Sequence, residues 1–458
     1  MTSKSKLTSV VICLTYVSFW IPTAGASPQQ TAEANSASTG WPGFGHTHGW
    51  KSALKLPTTP FLNLAWQQDV GEGQSQVVGD TQIIYVASGS SKQIAGSKNR
   101  KLQTILTARS IDGGDVKWTY RTESVMTDKQ ETFGGNKPTP QATPLLLNDR
   151  IILMTFTGEL ICVNTQNGKE LWQKQLTKEV GAEEVQFGFS SSAVACPDSD
   201  NQFVVLAAGR DGGLLRMSAK SGEVLWVGSV TSFSYATPVF VRLGDKPQWV
   251  VVSQDEVLGF DHDSGAKLWR FELPEKGLTN VPSPLVVDES TILISGQGMQ
   301  GTKCLSVQHV GNGWKVTERW SNRKLQFFYT NWLSMSDKFV IGCTEQFLTA
   351  FELKTGKQLG RFRGYANGNL LQADDRYLLL DGKGNLNLLA HDKESTQLVA
   401  SDRFALGKGR FWSAPSVIGE NLLVRFDSTL CCYRFSPSGS AGSLRNRIAR
   451  EEPRLHKL

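Results

Sequence analysis

The chain has 458 residues, of which 40% are hydrophobic and 20% charged, with 44 glycines, 17 prolines and 13 tryptophans. This composition excludes a disordered or collagen-like chain and is typical of a globular protein rich in turns. The formal net charge of +6 comes from the two ends, since residues 63–435 carry no net formal charge. A neutral body excludes a reader of the phosphate backbone, which needs a basic face, so we expect no nucleic-acid partner.

The N-terminus has the features of a secretory signal peptide over residues 1–26. Lys4 and Lys6 precede a largely apolar run over 7–20, and Ala24-Gly25-Ala26 supplies a small-residue cleavage site. An uncleaved anchor is the alternative, but the apolar run is short for a membrane span. We therefore predict an exported, periplasmic protein with no transmembrane segment after cleavage. Residues 27–60 are predicted to form an extended leader.

A nine-residue phrase ending in tryptophan recurs along the chain. Its strong copies are SIDGGDVKW at 110–118, NTQNGKELW at 164–172, SAKSGEVLW at 218–226 and DHDSGAKLW at 261–269. Each copy follows an alternating apolar strand, turns at a glycine and ends a second short strand, which predicts a hairpin. Weaker copies end at Trp320, Phe362 and Phe404.

A second phrase opens each unit and contains a proline: ATPLLL at 142, YATPVF at 235, VPSPLV at 281 and WSAPSV at 412. A proline at the start of a strand removes no hydrogen bond that the sheet needs. Unbroken apolar runs such as 151–154 then supply a buried strand. One unit is therefore a four-stranded antiparallel sheet of about 45 residues, the size of a propeller blade.

The two ends of the repeat region complete each other. After the seventh unit, residues 413–435 supply three strands only, whereas Leu62–Asp69 resembles an unattached fourth strand with Trp66 in place. We predict an all-β fold, an eight-bladed β-propeller over 61–436, with the ring closed by this N-terminal strand. Closure removes exposed sheet edges, so we expect a monomer. Residues 437–458 are predicted to be a flexible basic tail.

The D-x-x-(S/T)-G-x-x-x-W repeat resembles the quinoprotein-like propeller family, also called PQQ-like repeats, over residues 41–435. The family includes dehydrogenases that carry pyrroloquinoline quinone (PQQ) with Ca²⁺, and non-enzymatic scaffolds such as the propeller of the outer-membrane assembly machinery. The resemblance implies that the repeat tryptophans dock each blade on its neighbour: Trp66, Trp118, Trp172, Trp226, Trp269 and Trp320.

The enzyme alternative needs a calcium cage, a quinone platform and a carboxylate base. No such set of carboxylates and amides stands out from the sequence. Cys431-Cys432 resembles the vicinal pair of quinoprotein dehydrogenases, but it lies inside a predicted strand. His46 and His48 are too few to hold a metal. We predict no catalytic residue, no metal and no cofactor, with a PQQ- and Ca²⁺-dependent dehydrogenase as the alternative.

Aromatic side chains gather in the loops that lead into the first strand of each blade. Loops that only turn the chain are polar, whereas aromatic rings with polar tips favour interfaces. We predict that this upper rim binds an envelope protein, a peptide or a polysaccharide, or that the propeller is an assembly scaffold. The alternative is that the rings wedge between blades. The predicted rim residues are Phe187, Phe189, Phe233, Tyr235, Phe328, Tyr329, Trp332, Arg363, Tyr365, Arg410, Phe411 and Trp412.

Overall fold

The computed structural model describes residues 40–46, 49–132, 137–273, 281–296, 301–391, 398–437 and 450–451. The predicted signal peptide and the first part of the leader lie outside these residues, as does His48, so both stay predictions. Among the described residues, no helix has the length and apolar character of a membrane span.

The first elements precede blade 1 in sequence. A 3₁₀ turn at Phe44–His46 is followed by a short strand, Lys51–Ser52 (β1), and by a long one, Pro60–Asp69 (β2). One helical turn, Leu176–Glu179 (α1), follows the second blade.

Blades 1 to 4 each have four consecutive strands. Blade 1 has Val78–Gly79 (β3), Ile83–Gln93 (β4), Arg100–Ser110 (β5) and Val116–Met126 (β6). Blade 2 has Leu145–Leu147 (β7), Arg150–Met154 (β8), Glu159–Asn164 (β9) and Glu170–Gln175 (β10). Blade 3 has Val194–Ala195 (β11), Gln202–Ala207 (β12), Gly213–Ser218 (β13) and Val224–Ser229 (β14). Blade 4 has Val239–Leu243 (β15), Lys246–Val252 (β16), Glu256–Asp261 (β17) and Lys267–Glu272 (β18).

Blades 5 to 8 repeat the pattern. Blade 5 has Leu285–Asp288 (β19), Thr291–Gly296 (β20), Gly301–Val310 (β21) and Gly313–Asn322 (β22). Blade 6 has Trp332–Ser334 (β23), Phe339–Cys343 (β24), Phe347–Glu352 (β25) and Gln358–Arg363 (β26). Blade 7 has Asn369–Ala373 (β27), Arg376–Leu380 (β28), Asn385–His391 (β29) and Leu398–Ala405 (β30). Blade 8 has Ser416–Ile418 (β31), Asn421–Phe426 (β32) and Thr429–Pro437 (β33), and Arg450–Glu451 forms the last strand (β34).

The prediction of eight four-stranded antiparallel blades is confirmed over the described residues. The middle strands carry unbroken apolar runs and are buried, as in Arg150–Met154, whereas the outermost strands alternate and face solvent. Each blade also has a register shift between its third and fourth strands, and in blades 1 to 5 and 8 it lies beside the repeat tryptophan, for example between Glu170 and Trp172. A bulge at this point bends the outer strand and directs the aromatic ring toward the next blade.

Ring closure is confirmed as well. β2 pairs antiparallel with β33, with Trp66 opposite Cys432 and Leu64 opposite Tyr433, so the N-terminal strand is the fourth strand of blade 8. Arg425 of β32 is 2% exposed and joins blade 8 to blade 1. Its guanidinium donates hydrogen bonds to the carbonyls of Ala87 (2.6 Å) and Gly71 (2.9 Å).

Two end segments lie closer to the ring than the sequence suggested. In the predicted C-terminal tail, the described residues Arg450–Glu451 form β34, which pairs with β30 on the outer edge of blade 7, and the flexibility of the rest of the tail stays a prediction. At the other end, β1 adds in parallel to the inner edge of β27, with Lys51 opposite Gln372. The described part of the predicted leader, residues 40–46 and 49–60, therefore contacts the inner strands of the ring and enters the central channel.

Candidate functional site

A cavity of about 370 Å³ lies at the face where each blade's first strand begins. We call it the axial pit, because all eight blades contribute to its wall and it must therefore lie on the ring axis. Most blades supply two residues spaced by two, since alternate residues of an extended segment point to the same side. We call the first residue of each pair the outer position; these residues include Gln74, Gln141, Tyr235, Tyr329, Asn367 and Trp412. The second residue, which is nearer the first strand of its blade, is the inner position; these residues include Gln76, Thr143, Thr237, Ser283, Asn331 and Asn369.

Inner side chains join neighbouring blades. The Thr143 backbone N–H donates to the Ser192 hydroxyl (2.9 Å), and the Ser192 N–H donates to the Thr237 hydroxyl (3.1 Å). On the other side of the ring, the Asn331 amide accepts from the Leu370 N–H (2.7 Å) and donates to the Leu370 carbonyl (2.6 Å). The inner layer therefore satisfies backbone groups that would otherwise face the channel, as buried polar groups require.

The leader lies in the channel and forms the floor of the pit. Trp41 makes an antiparallel bridge with Gly79, at the far end of β3 (N···O 2.8 and 3.0 Å), and the Leu146 N–H donates to the Pro42 carbonyl (2.7 Å). The chain then turns back, and the Trp50 carbonyl accepts from the Gln372 N–H (2.7 Å). These contacts link the leader to blades 1, 2 and 7.

Two leader rings are part of the pit wall. Phe44 and Trp50 pack edge to face, with their centroids 5.2 Å apart, and both line the pit. Trp50 is 6% exposed. The floor is therefore apolar and comes from a segment that carries no repeat.

Some predicted rim residues do lie in the wall of the pit. Phe187 and Tyr235 are paired, with centroids 6.1 Å apart, and the Phe187 N–H donates to the Tyr235 hydroxyl (3.2 Å). Tyr329 and Trp412 are 37% and 41% exposed. Trp332 is buried and donates its indole N–H to the Ser283 carbonyl (3.1 Å). The predicted residues in the wall are Phe187, Tyr235, Tyr329, Trp332 and Trp412.

Three predicted rim residues are interior, so the prediction that they contact a ligand is corrected. Phe189 is 4% exposed and lies against Gly158 of blade 2. Phe411 is fully buried against Gly384 of blade 7 and stacks on Phe426 of blade 8 (centroids 4.6 Å apart). Tyr365 is 3% exposed, inside a cluster shared by blades 6 and 7. These rings fill the wedge between adjacent blades, which widens outward from the axis.

Four other predicted residues are outside the pit wall. Phe233 packs on the ring of Tyr235 (5.6 Å) and Phe328 on that of Tyr329 (6.0 Å). Arg363 lies near the Phe347 ring, with its guanidinium carbon 5.1 Å from the centroid. Arg410 is paired with Asp427 (3.1 Å). Their part in binding stays a prediction: Phe233, Phe328, Arg363 and Arg410.

The repeat tryptophans have a common environment in five of the six described positions. The indole N–H of Trp66, Trp118, Trp172 and Trp320 donates to a carbonyl of the next blade, at 2.7–2.9 Å. Trp226 lies against Gly265 in the turn of the next blade. Each ring therefore covers the turn between the third and fourth strands of the neighbouring blade.

Trp269 differs from this pattern. It folds onto Gly259 of its own blade, and its indole N–H donates to the Gln248 side-chain oxygen (2.7 Å). We attribute this difference to the hairpin of blade 5, whose two strands stay paired farther beyond the register shift than in the other blades that receive a repeat tryptophan: β21 and β22 are paired up to Val310 and Gly313. The turn with a glycine that the other tryptophans cover is therefore displaced in blade 5.

The pit does not fit PQQ with Ca²⁺. Among the described lining residues, Glu345 is the only charged one, whereas a calcium cage needs several carboxylate oxygens. Cys431 and Cys432 are buried in β33 and do not line the pit. Burial raises the pKa of the Cys432 thiol to about 12.

A second group of ionisable side chains links blades 3 and 4. Asp198 accepts two hydrogen bonds from the Arg216 guanidinium (2.8 and 3.0 Å) and lies 3.0 Å from His262 Nε2. Burial alone would raise the pKa of Asp198, but the bonds from Arg216 and His262 outweigh it and hold the pKa below its usual range. Asp263 lies close by, yet the arginine already occupies the carboxylate that a metal ion would need.

Sequence reasoning missed the amides of the pit and the leader floor. Gln74, Gln141 and Asn367 are not aromatic, so the predicted aromatic rim does not include them. The signal was present in the proline phrase, because the residues three and one before the proline line the pit, as Gln141 and Thr143 precede Pro144.

The chain is similar to proteins of known structure. No curated protein sequence matches the chain. BamB from Moraxella catarrhalis is similar in structure, at 16% identity and a TM-score of 0.51, covering 81% of this chain and 97% of that one. The C-terminal WD40 domain of Sif2 is matched at 12% identity and a TM-score of 0.43, covering 84% of this chain and 99% of that one.

A family profile covers more than half of the sequence. It is described as outer membrane protein assembly factor BamB and matches residues 62–178 and 136–360. This range contains blades 1 to 5, most of blade 6 and the closing strand. The chain therefore belongs to the family described as outer membrane protein assembly factor BamB.

Proposed function

We propose that this protein is a non-enzymatic, extracytoplasmic binding propeller whose ligand enters the axial pit. The observation that supports this most directly is the wall of the pit, to which all eight blades contribute and which combines aromatic rings and amides with a single carboxylate among the described residues. Such a wall can recognise a ligand but offers neither a nucleophile with a base nor a set of metal ligands.

Family membership supports a scaffold role in the envelope. The family description names an assembly factor of the outer membrane, which is a role in binding other molecules. The predicted signal peptide agrees with the same location. The fold alone would not select this function, because propellers also carry enzymes, so the proposal depends on the chemistry of the pit.

The test compares capture by the intact protein and by a pit variant. Immobilised wild-type protein is incubated with solubilised envelope, and the eluate is analysed for both proteins and carbohydrates. The Tyr329→Ala/Trp412→Ala double variant should lose the captured molecule, because both side chains are exposed at the pit. Trp314→Ala, in the hairpin of blade 5 and outside the pit, is the matched control and should retain it.

The dehydrogenase alternative has a separate test. PQQ and Ca²⁺ are added to the purified protein, and the melting temperature and visible absorbance are recorded. Our proposal predicts no change, whereas a ligand that binds only the native state raises the melting temperature progressively as its concentration exceeds the dissociation constant. A rise in melting temperature that is abolished in the Trp412→Ala variant would show that PQQ binds in the axial pit. That result would favour the dehydrogenase over a non-enzymatic binding propeller.

A further inference from the structure

We propose that the ligand group held in the axial pit is a neutral saccharide, so that the protein binds an uncharged glycan. The inference rests on the proposed function, because it assumes that the ligand enters the pit. It follows from three properties of the wall: its charge, its satisfied backbone and its pairing of amides with exposed rings.

The charge of the wall disfavours an anionic ligand. Glu345, which is exposed, is the only charged side chain among the described lining residues. Lys137 and Arg410 line a smaller cavity that shares Gln74 and Trp412 with the pit, and both are paired, Lys137 with Glu72 (2.8 Å) and Arg410 with Asp427 (3.1 Å). An acidic peptide, a phosphate group or a uronic acid would therefore lose water without gaining a cationic partner.

The backbone of the wall disfavours a peptide that adds as a strand. β-augmentation needs free N–H and C=O groups along a strand edge. Here the Thr143 and Ser192 N–H groups donate to hydroxyls of the next blade, and Asn331 bonds both backbone groups of Leu370. Beyond them, the inner edge of β27 is occupied by β1. Recognition in the pit must therefore come from side chains.

The side chains that remain are suited to a sugar. Trp412 of blade 8 is 41% exposed and lies between Asn367 of blade 7 and Gln74 of blade 1 in the order of the ring. Within the described part of the chain, the Gln74 and Asn367 amides make no hydrogen bond to protein. Each amide offers a donor and an acceptor to neighbouring hydroxyls, and an indole face covers the apolar C–H face of a pyranose.

The volume sets the size of the group that enters. About 370 Å³ is near the lower end of small-molecule sites, roughly 300–1,000 Å³. The pit is therefore suited to one or two sugar units of a longer chain, which continues outward past Trp412 and Tyr329.

The experiment measures glycan binding by the full mature protein. The probe is an array of neutral and acidic oligosaccharides, and the strongest neutral one is then titrated by calorimetry. We expect neutral glycans to bind and acidic ones of the same length to bind at least tenfold more weakly. Trp412→Ala should abolish binding, and Gln74→Met, which keeps the side-chain length, should weaken it at least fivefold. Trp314→Ala should bind as the wild type does.

Two outcomes would overturn the inference, and they are distinguishable from failure of the proposed function. If no neutral glycan binds above the level of Trp412→Ala, while envelope capture is still lost in the pit double variant, the pit binds a protein or peptide and only the saccharide is wrong. If glycan binding is unchanged in Trp412→Ala, the saccharide site is elsewhere. If capture and glycan binding are both absent, the proposed function fails as well.

Discussion

Trp118 of blade 1 covers Gly168 of blade 2 so closely that a Cβ atom on the glycine would lie 2.5 Å from the indole ring. The indole N–H also donates to the carbonyl of Thr165 in the same turn (2.8 Å). Gly168 has a φ of +71°, which L-residues adopt only with strain. The repeat phrase thus encodes both partners of a junction between blades, the tryptophan of one copy and the glycine of the next.

Comparing Gly168→Ala with Gly96→Ala should separate two contributions to stability, the contact between blades and the backbone strain of the turn. Gly96 has the same φ of +71°, but nothing lies within 4 Å of its Cβ position. Gly96→Ala should therefore cost the strain of the left-handed conformation alone, about 1 kcal/mol. Gly168→Ala should cost about 1–3 kcal/mol more, because the indole must move. Urea denaturation of the two variants measures the difference, and equal losses would show that the contact carries no stability.

The repeat made the closed ring predictable from the sequence. The last unit lacks its fourth strand and Leu62–Asp69 is an unattached fourth strand, so few arrangements other than a closed ring are possible. The position of single rings was less predictable. Phe187 lines the pit and Phe189 is buried, although alternate residues of an extended loop should point to the same side. Gly188 between them has a φ of +79°, which breaks the alternation and cannot be read from the sequence.

The leader was beyond prediction for a different reason. It has no repeat, so neither its path nor its partners could be inferred from the other blades. Trp41, Leu54 and Leu56 are apolar, which favours burial, but only the structure shows that they lie in the core shared by blades 1, 2, 7 and 8. The floor of the pit depends on this placement.

The leader should contribute to global stability. Trp41 is 0% exposed and belongs to the core cluster that includes the closing strands. Trp41→Ala should therefore reduce the free energy of unfolding by about 3–5 kcal/mol, as for large buried side chains elsewhere. Leu225→Ala, at a position 44% exposed on β14, is the control and should cost much less. A loss below about 1 kcal/mol for Trp41→Ala would mean that the leader leaves the channel in solution.

The cysteines should be unreactive in the folded protein. All six in the described residues are free and buried, and burial raises the pKa of Cys162 and Cys196 to about 12 and that of Cys304 to about 11. A thiol reagent at pH 8 should therefore label almost none of them in native protein and all six in denaturant, since only the thiolate reacts. Fast labelling of native protein, or four thiols instead of six in denaturant, would contradict free buried thiols at Cys431 and Cys432.

The carboxylate of Asp198 should make stability depend on acid pH. Its pKa is lower in the folded state than in the unfolded chain, where it is about 3.9. The pairing with Arg216 therefore stabilises the protein fully above the unfolded pKa, and this contribution is lost as pH falls through the lower folded value. Asp198→Asn should destabilise the protein at pH 7 by about 1–3 kcal/mol, because Arg216, 8% exposed, loses its charged partner. The partial exposure of Asp198 keeps the cost below that of a fully buried pair.

The Asp198→Asn variant also tests the direction in which stability changes with pH. The difference between wild type and Asp198→Asn should be constant above about pH 5 and should shrink below about pH 4, as the wild-type carboxylate takes up a proton. Asp200→Asn, an exposed neighbour on the same turn, should show no such convergence. Denaturation curves at several pH values provide the measurement. A difference that grows on acidification would mean that Arg216 and His262 do not stabilise the ionised form, and that blades 3 and 4 are joined by packing alone.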